Sequence, residues 1–263
     1  MNFGLNGKSA LVTASSHGLG YAAAEAIARE GASLVICARG KKAVDEAAAR
    51  IRDLTGSPVI GLVADVSREA DIRRLERTVK KEFGGLDVLV CNSGGPPRGG
   101  VLGLKESEWK KAFDLTLMSS VRLIRGFLPG MIARQWGRIV TITSVAAKQP
   151  INDLLLSSVL RPGIQALSKV VSNQHAAANI TVNTVCPGYV LTARQKEIFE
   201  GRARSAGRPM EGLLKEMTAE IPAARMGRPE EIGDVIAFLV SERASYINGV
   251  NLLVDGGYAR GIH

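Results

Sequence analysis

The feature that most constrains this chain is a regular alternation. Short runs of consecutive apolar residues are each followed by a stretch with apolar positions at helical spacing. The runs read at about 9–13, 33–38, 58–64, 87–91, 138–143, 180–186 and 250–254. The helical stretches read at about 19–30, 41–54, 69–83, 106–135, 166–177 and 230–240. Strands that lack polar alternation are those buried on both faces, the condition of a parallel sheet sandwiched between helices. No repeat, low-complexity tract or Pro/Ser linker divides the sequence, so one α/β domain is predicted over residues 1–263. The rhythm breaks only at about 192–228, a segment rich in Arg, Gly and Met between the sixth strand and the last helix. Such an insertion reads as a lid over a ligand crevice or as an extra surface helix pair.

The first strand–helix unit is the most informative. The apolar run Ala10–Val12 stops at small and polar residues, Gly18 and Gly20 follow, and Tyr21–Glu30 has a helical pattern. Glycines let a backbone approach a ligand closely, and the free N–H groups of a first helical turn suit a pyrophosphate. A strand, a Gly-rich turn and a helix in this order predict dinucleotide binding, although Ala14 stands where the usual fingerprint begins with glycine.

Composition narrows the classes. The formal net charge is +9, yet the basic residues are spread along the chain and aromatics make up only 5%, so a nucleic-acid surface is not expected. An anionic cofactor, an acidic carrier-linked substrate or a solvated surface accounts for the charge. Residues 1–8 lack the basic and apolar regions of a signal peptide, and no apolar run approaches the ~20 residues of a membrane span. Cys37, Cys91 and Cys186 lie at the ends of apolar runs without metal-ligand spacing, which predicts buried free thiols and a reducing cytoplasm. His17, His175 and His263 assemble no metal site or catalytic triad.

Several motifs then recur in a familiar order: Thr13-Ala-Ser-Ser-His-Gly-Leu-Gly20, Ala64-Asp65-Val66, Cys91-Asn92-Ser93-Gly94-Gly95, Gly137 to Ser144, Asn183 to Thr192 with Pro187-Gly188 inside it, Arg225 to Ile232, and Val254-Asp255-Gly256-Gly257. Together they resemble the short-chain dehydrogenase/reductase family over nearly the whole chain, most broadly its 3-oxoacyl-(acyl-carrier-protein) reductases. The resemblance implies a Rossmann-type doubly wound parallel sheet of seven strands with helices on both faces. It implies a nicotinamide cofactor across the carboxyl ends of the strands. By the same likeness Ser15, Ser16, His17, Gly18 and Leu19 carry the pyrophosphate, and Asp65 and Val66 flank adenine. Asn92, Ser93 and Gly94 line the ribose, and Pro187, Gly188, Val190 and Thr192 hold the nicotinamide end. At the close of the second strand an acidic residue would repel a 2′-phosphate; here Ala38 is followed by Arg39-Gly-Lys41-Lys42. A guanidinium with two ammonium groups suits a phosphate, so NADP(H) is expected over NAD(H). Family members form dimers or tetramers, and Leu154–Leu156, Val159 and Val170-Val171 would supply such a face or else lie in the core.

The resemblance also implies four catalytic positions, and three are substituted. Ser144 matches the family's serine. The tyrosine position, 13 residues on, is Ser157, the lysine position is Arg161, and the asparagine position is Thr116. A serine hydroxyl is a far poorer acid than a phenol of pKa ~10, and an arginine cannot release its proton near neutrality. Pro162 predicts a helix start or kink, with a register shift that would bring Ser158 to the crevice. Tyr189 is the tyrosine expected beside the nicotinamide, as acid or as pocket wall. His175 follows Arg161 by fourteen residues, ~21 Å along a helix, too far to join the site. An oxidoreductase of carbonyls or alcohols with a Ser144/Ser157/Arg161 relay is the leading expectation. The alternatives are a nucleotide-binding regulatory homologue that has lost the chemistry, and a non-redox reaction on the same scaffold.

Overall fold

The computed structural model describes residues 2–262, less the side chains of Arg194, Ile198 and Arg202, and His263 lies outside that range. Seven parallel strands form one sheet: β1 (Ser9–Val12), β2 (Ser33–Ala38), β3 (Val59–Val63), β4 (Val88–Cys91), β5 (Gly137–Ile142), β6 (Ile180–Pro187) and β7 (Asn251–Val254). Their order is β3-β2-β1-β4-β5-β6-β7, so the chain reverses direction across the sheet between β1 and β4. The helices are α1 (Gly18–Arg29), α2 (Lys41–Thr55), α3 (Glu69–Phe83), α4 (Glu106–Phe113), α5 (Ser119–Arg134), α6 (Leu155–His175), α7 (Ala193–Ala206), α8 (Met210–Ala219) and α9 (Pro229–Leu239). This is the doubly wound seven-stranded α/β architecture that the motifs imply.

Why the strands read as unbroken apolar runs is visible in how they divide their side chains. Ala10 and Val12, Leu34 and Ile36, and Val88 and Val90 enter a core with α1, α2 and α9. Leu11, Val35, Cys37, Leu89 and Cys91, the residues between and beside them, enter a second core with α3, α5 and α6. Successive side chains point to opposite faces, and both faces are dry. All three cysteines are free and buried. Burial raises the Cys37 and Cys91 thiols to about 12, so neither is nucleophilic near neutrality. No described helix is long and apolar enough to cross a membrane.

The helical expectations need adjustment in places. The stretch 106–135 is helical throughout 106–134, with a five-residue π turn, Asp114–Met118, between α4 and α5. Helix α6 begins at Leu155, eleven residues before the expected start, and runs through Pro162 without a break. The proline lacks an N–H for the carbonyl four residues back, but Leu156, Leu160 and Ile164 bury one face of the helix through that turn and hold it. Register therefore stays with Ser157, which is buried, while the Ser158 hydroxyl accepts a hydrogen bond from the Ile151 amide. The 192–228 segment folds as the helix pair α7–α8. It packs Met210, Leu213, Leu214 and Met217 with Phe199, Ile221, Met226, Tyr189 and Tyr258.

Contact between α1 and α9 depends on a missing side chain. A Cβ on Gly233 would stand 2.5 Å from the carbonyl oxygen of Ala22, backbone that cannot swing away. Gly233→Ala is expected to destabilise the protein by about 1–3 kcal/mol through overpacking. Gly212→Ala in α8, whose Cβ would meet only Arg208 Nη2 at 3.8 Å, is expected to be neutral or slightly stabilising. Urea unfolding midpoints of the two variants check the contrast.

Candidate active site

The crevice begins where β1, β2 and β4 end, and hydrogen bonds fasten those three ends together. Ser15 donates its amide to Cys37 O (3.0 Å) and its hydroxyl to Val12 O (2.7 Å), while its Oγ accepts from the Cys37 amide (3.2 Å). Thr13 donates its hydroxyl to Asn92 O (2.7 Å) and accepts from the Asn92 amide (2.8 Å). Asn92 Nδ2 donates to Ala14 O at 3.1 Å. Ser15 is fully enclosed, so among the turn residues it shapes the loop and offers a ligand no surface. Ala14 sits at φ +47°, the left-handed region that the missing fingerprint glycine would enter freely.

The next residues present donors outward. His17 is extended at the N-cap of α1 and gives it no side-chain cap, so the first-turn N–H groups remain available to an anion. Its ring lies 3.0 Å from Ser16 Oγ. Gly18 is left-handed at φ +62°, and a Cβ there would lie 3.6 Å from the Thr192 methyl. Leu19 packs against the first core. Gly20 serves a different purpose: a Cβ would meet Ala14 O at 2.5 Å and Asn92 Nδ2 at 2.7 Å, so it admits the helix to the turn.

Both flanks of the turn carry expected cofactor residues. On one, Arg39 is exposed just beyond β2, and Val66 is buried. Burial works against the Asp65 charge, but the Ser67 hydroxyl and amide, with Arg39 and Arg68 nearby, hold its carboxyl below the usual range. In the loop after β4, Ser93 is half-buried and Gly94 faces open space. On the other flank, Pro187 ends β6, Gly188 packs on Asp255, and Val190 bridges to Gly227. Thr192 caps α7 by accepting from the Gln195 amide at 3.2 Å. An uncapped helix end, a glycine turn and an open Gly94 at the point where strand order reverses fit a dinucleotide. A cavity of about 360 Å³ runs along α1 from Gly18 and Thr192 at the turn, walled by Tyr21, Glu25 and Asp234 among others.

At the end of β5, Ser144 accepts a hydrogen bond from the Ala146 amide (3.1 Å), which leaves its own O–H free to donate. Arg161 reaches the same place from α6. Its Nη1 donates to Ile142 O (3.1 Å) and Thr143 O (2.8 Å), the two carbonyls before Ser144. Ser157 lies one helical turn earlier on the same face, and its hydroxyl has no partner among the described residues. Burial draws the Arg161 guanidinium down to about 10, which still leaves it charged at neutral pH. The structure thus gathers Ser144, Ser157 and Arg161.

Tyr189 packs edge-on to Tyr258 with ring centroids 5.0 Å apart. Burial first, then the hydrogen bond with Tyr258 and the charges of Glu220 and Asp153, raise its phenol well above the ordinary value. It holds its proton more tightly than a free tyrosine.

Thr116, read from the sequence at the asparagine position, lies in the π turn, buried, its hydroxyl unpartnered. Sequence reasoning missed the other supports of this site. Gln165, one turn beyond Arg161, donates to Cys186 Sγ at 3.2 Å, and Thr143 Oγ1 lies 3.1 Å from the same sulfur. The spacing of four between Arg161 and Gln165 was a readable signal. An ion pair between Arg98 and Asp153 (2.7 Å) and a bridge from Gly99 to Leu154 tie the loop after β4 to the start of α6. These contacts join residues 55 apart and have no local signature.

With this geometry in view, residues 13–259 match the family model described as enoyl-(acyl carrier protein) reductase. The chain belongs to the short-chain dehydrogenase/reductase family. It is 34% identical to the bovine (Bos taurus) dehydrogenase/reductase SDR family member 4, over 96% of this chain and 88% of that one. It is 33% identical to the 3-oxoacyl-(acyl-carrier-protein) reductase of Escherichia coli strain K12, over 98% of each. Among solved structures, L-sorbose reductase from Gluconobacter frateurii, complexed with NADPH and L-sorbose, superposes with a TM-score of 0.97 at 33% identity, covering 100% of both chains. The protein is an oxidoreductase of this family, acting on a small carbonyl or alcohol with a nicotinamide cofactor.

A smaller cavity of about 110 Å³ between Tyr189 and the α9 N-terminus is edged by Arg225 and Glu231. The Arg225 guanidinium donates to both Glu231 oxygens (2.7 and 2.8 Å) and the Arg228 amide adds a third bond, holding the carboxyl down to about 2. A depressed carboxylate contributes stability above its ordinary 4.5 and loses it as pH falls toward about 2. The stability gap between the protein and its Glu231→Gln variant should be full at neutral pH and close across that window, which urea midpoints measured against pH will show.

Proposed function

We propose that this protein transfers hydride between NADP(H) and a small carbonyl or alcohol, with two serines and an arginine in place of the phenol and ammonium used by its relatives. Arg39 carries the choice of NADP(H): it is exposed at the end of β2, where an acidic residue would repel the 2′-phosphate, and Lys41 and Lys42 follow it. Ser16, His17, Gly18 and Leu19 with the first turn of α1 hold the pyrophosphate, while Ser15 braces them. Asp65 and Val66 take the adenine side, Asn92, Ser93 and Gly94 the ribose, and Pro187, Gly188, Val190 and Thr192 the nicotinamide side. The bound cofactor supplies or accepts the hydride.

The protein's own residues manage the substrate oxygen and its proton. Ser144, fixed as an acceptor by the Ala146 amide, turns its O–H toward that oxygen. Arg161 supplies the fixed positive charge of the crevice and keeps its proton near neutrality. The proton therefore comes from solvent and passes through Ser144, with Ser157 lining the same side. Tyr189, whose phenol is made a weaker acid, walls the substrate end with Tyr258. The α7–α8 pair is the lid over this crevice. Exposed Val159 and Val170, eleven residues apart on α6, form a face for a homodimer or homotetramer, and the three free buried thiols suit a reducing cytoplasm.

Calorimetric titration with NADPH and NADH tests the reading. NADPH is expected to bind more tightly, and Arg39→Asp is expected to weaken NADPH by about tenfold or more while affecting NADH less. Ser144→Ala should lower kcat/KM on any accepted carbonyl by about a hundredfold with nucleotide binding unchanged. Failure to bind either nucleotide would overturn the proposal.

A further inference from the structure

Among the described residues the fold encloses two arginines, Arg138 at 1% and Arg161 at 7% exposed, and it treats them differently. Arg138 is met on several sides. Its guanidinium lies 4.4 Å from the Trp136 ring centre, Nη1 donates to Gly137 O and Asn179 O, Nη2 donates to Asn179 Oδ1, and the Glu242 charge favours its protonated form. Arg161 has two acceptors, both on Nη1 and both uncharged. Its Nε is enclosed without a partner, as is that of Arg138, but unlike Arg138 it has no carboxylate acting on it. Two carboxylates of the region, Asp153 and Glu220, act on Tyr189 instead, and Asp153 is paired with Arg98.

Nη2 is the nitrogen that remains. It has no partner among the described residues and is not one of the enclosed unpaired atoms, so it is the part of the guanidinium open to the crevice. The Ser157 hydroxyl, four residues earlier on the same helical face, is open and unpartnered in the same way. A permanent charge held in a dry setting without a counterion favours any ligand that brings one. A carboxylate accepts from both a guanidinium and a hydroxyl.

We propose that Ser157 and Arg161 form a seat for a carboxylate on the substrate, which makes the substrates short 2-oxo or 3-oxo acids, or the matching hydroxy acids, in their free form. The short spacing follows from Nη1 being fastened to the two carbonyls that precede Ser144, so the anion and the reacting oxygen lie within a few bonds. This rests on the reading of Ser144 as the residue that holds the reacting oxygen. Thioesters and esters of the same acids lack the charge and belong to a different class of substrate.

Calorimetric titration of the protein with acetoacetate and with methyl acetoacetate, and likewise with pyruvate and methyl pyruvate, tests the seat without turnover. The titrations are run without nucleotide and with NADP⁺. At least one acid is expected to bind about tenfold or more tightly than its ester. Arg161→Met should erase that preference and Arg161→Lys should keep part of it, with circular dichroism confirming the fold of each. Equal binding of acid and ester, no binding of either acid, or a preference that survives Arg161→Met would overturn the proposal. The comparison in the unaltered protein is decisive even if Arg161→Met fails to fold. Nucleotide titration separates the two readings. An acid preference without nucleotide binding sinks the dinucleotide site and keeps the carboxylate seat; nucleotide binding without an acid preference does the reverse.

Discussion

Everything on the ligand side of this molecule depends on how three strand ends are fastened at the point where the sheet changes direction. One side chain, Ser15, bonds the ends of β1 and β2, and Thr13 with Asn92 bonds β1 to the loop after β4. These are buried hydrogen bonds between groups that would otherwise be left unsatisfied, so removing one partner exposes the others to the full cost of desolvation. The gain is positional. With the turn fixed, α1 starts at a set place with its first amides uncapped, and Gly20 lets the helix lie against the turn without a side chain between them. The strain of Ala14 in the left-handed region belongs to the same arrangement: it is held there by Asn92 Nδ2 on its carbonyl and by the Ser15 bonds that follow it.

How much of this was legible depends on whether the signal is local. The strands β2 and β6 begin where the apolar runs begin, because burial on both faces writes itself into consecutive residues. The Gly-rich turn, the Asp65 loop and the Asn92 loop are short motifs that the sequence displays whole. Helix α6 was misplaced because Pro162 is a strong local breaker, and its effect is overridden by long-range packing of Leu156, Leu160 and Ile164 that no local window contains. The π turn at Asp114–Met118 was invisible for a related reason. An extra residue in a helix leaves the apolar periodicity nearly intact and changes only which side chains face inward, among them Thr116. Ser15 was placed in the pyrophosphate turn from its motif position; that its hydroxyl bonds β1 and β2 is something only three-dimensional adjacency shows.

The positions proposed as catalytic show the opposite pattern. Motif spacing picked them out, and the structure adds their surroundings. Ser157 and Arg161 gather beside Ser144 because α6 is continuous; a kink at Pro162 would have swung Arg161 away from the carbonyls of Ile142 and Thr143. Tyr189 was close in sequence to the nicotinamide segment, but its packing against Tyr258 and two nearby carboxylates makes its phenol a weaker acid. Proximity to the chemistry and fitness for proton transfer are separate properties, and here they part.

On the proposed reading, a hydroxyl and a guanidinium stand where the family resemblance implies a phenol and an ammonium, and this changes where charge can go. A phenol with a lowered pKa can exist as the anion after giving up its proton; a serine hydroxyl cannot hold that charge near neutrality. Under that proposal, proton transfer through Ser144 is a relay in which the hydroxyl receives a proton as it gives one, and no residue of the trio need become an anion. On this reading Arg161 has no anionic side chain to stabilise, in keeping with the uncharged carbonyls that alone accept from its Nη1. An arginine in that situation is either a liability of several kcal/mol or half of an ion pair whose other half arrives from outside. Arg138 shows what the fold provides when a buried guanidinium is purely structural: an aromatic face, acceptors on both terminal nitrogens and a distant carboxylate. If the proposed carboxylate seat and relay both hold, the absence of a carboxylate around Arg161 ties the change in proton chemistry to a change in the substrate: the missing phenolate and the vacant counterion would be one electrostatic adjustment seen from two sides.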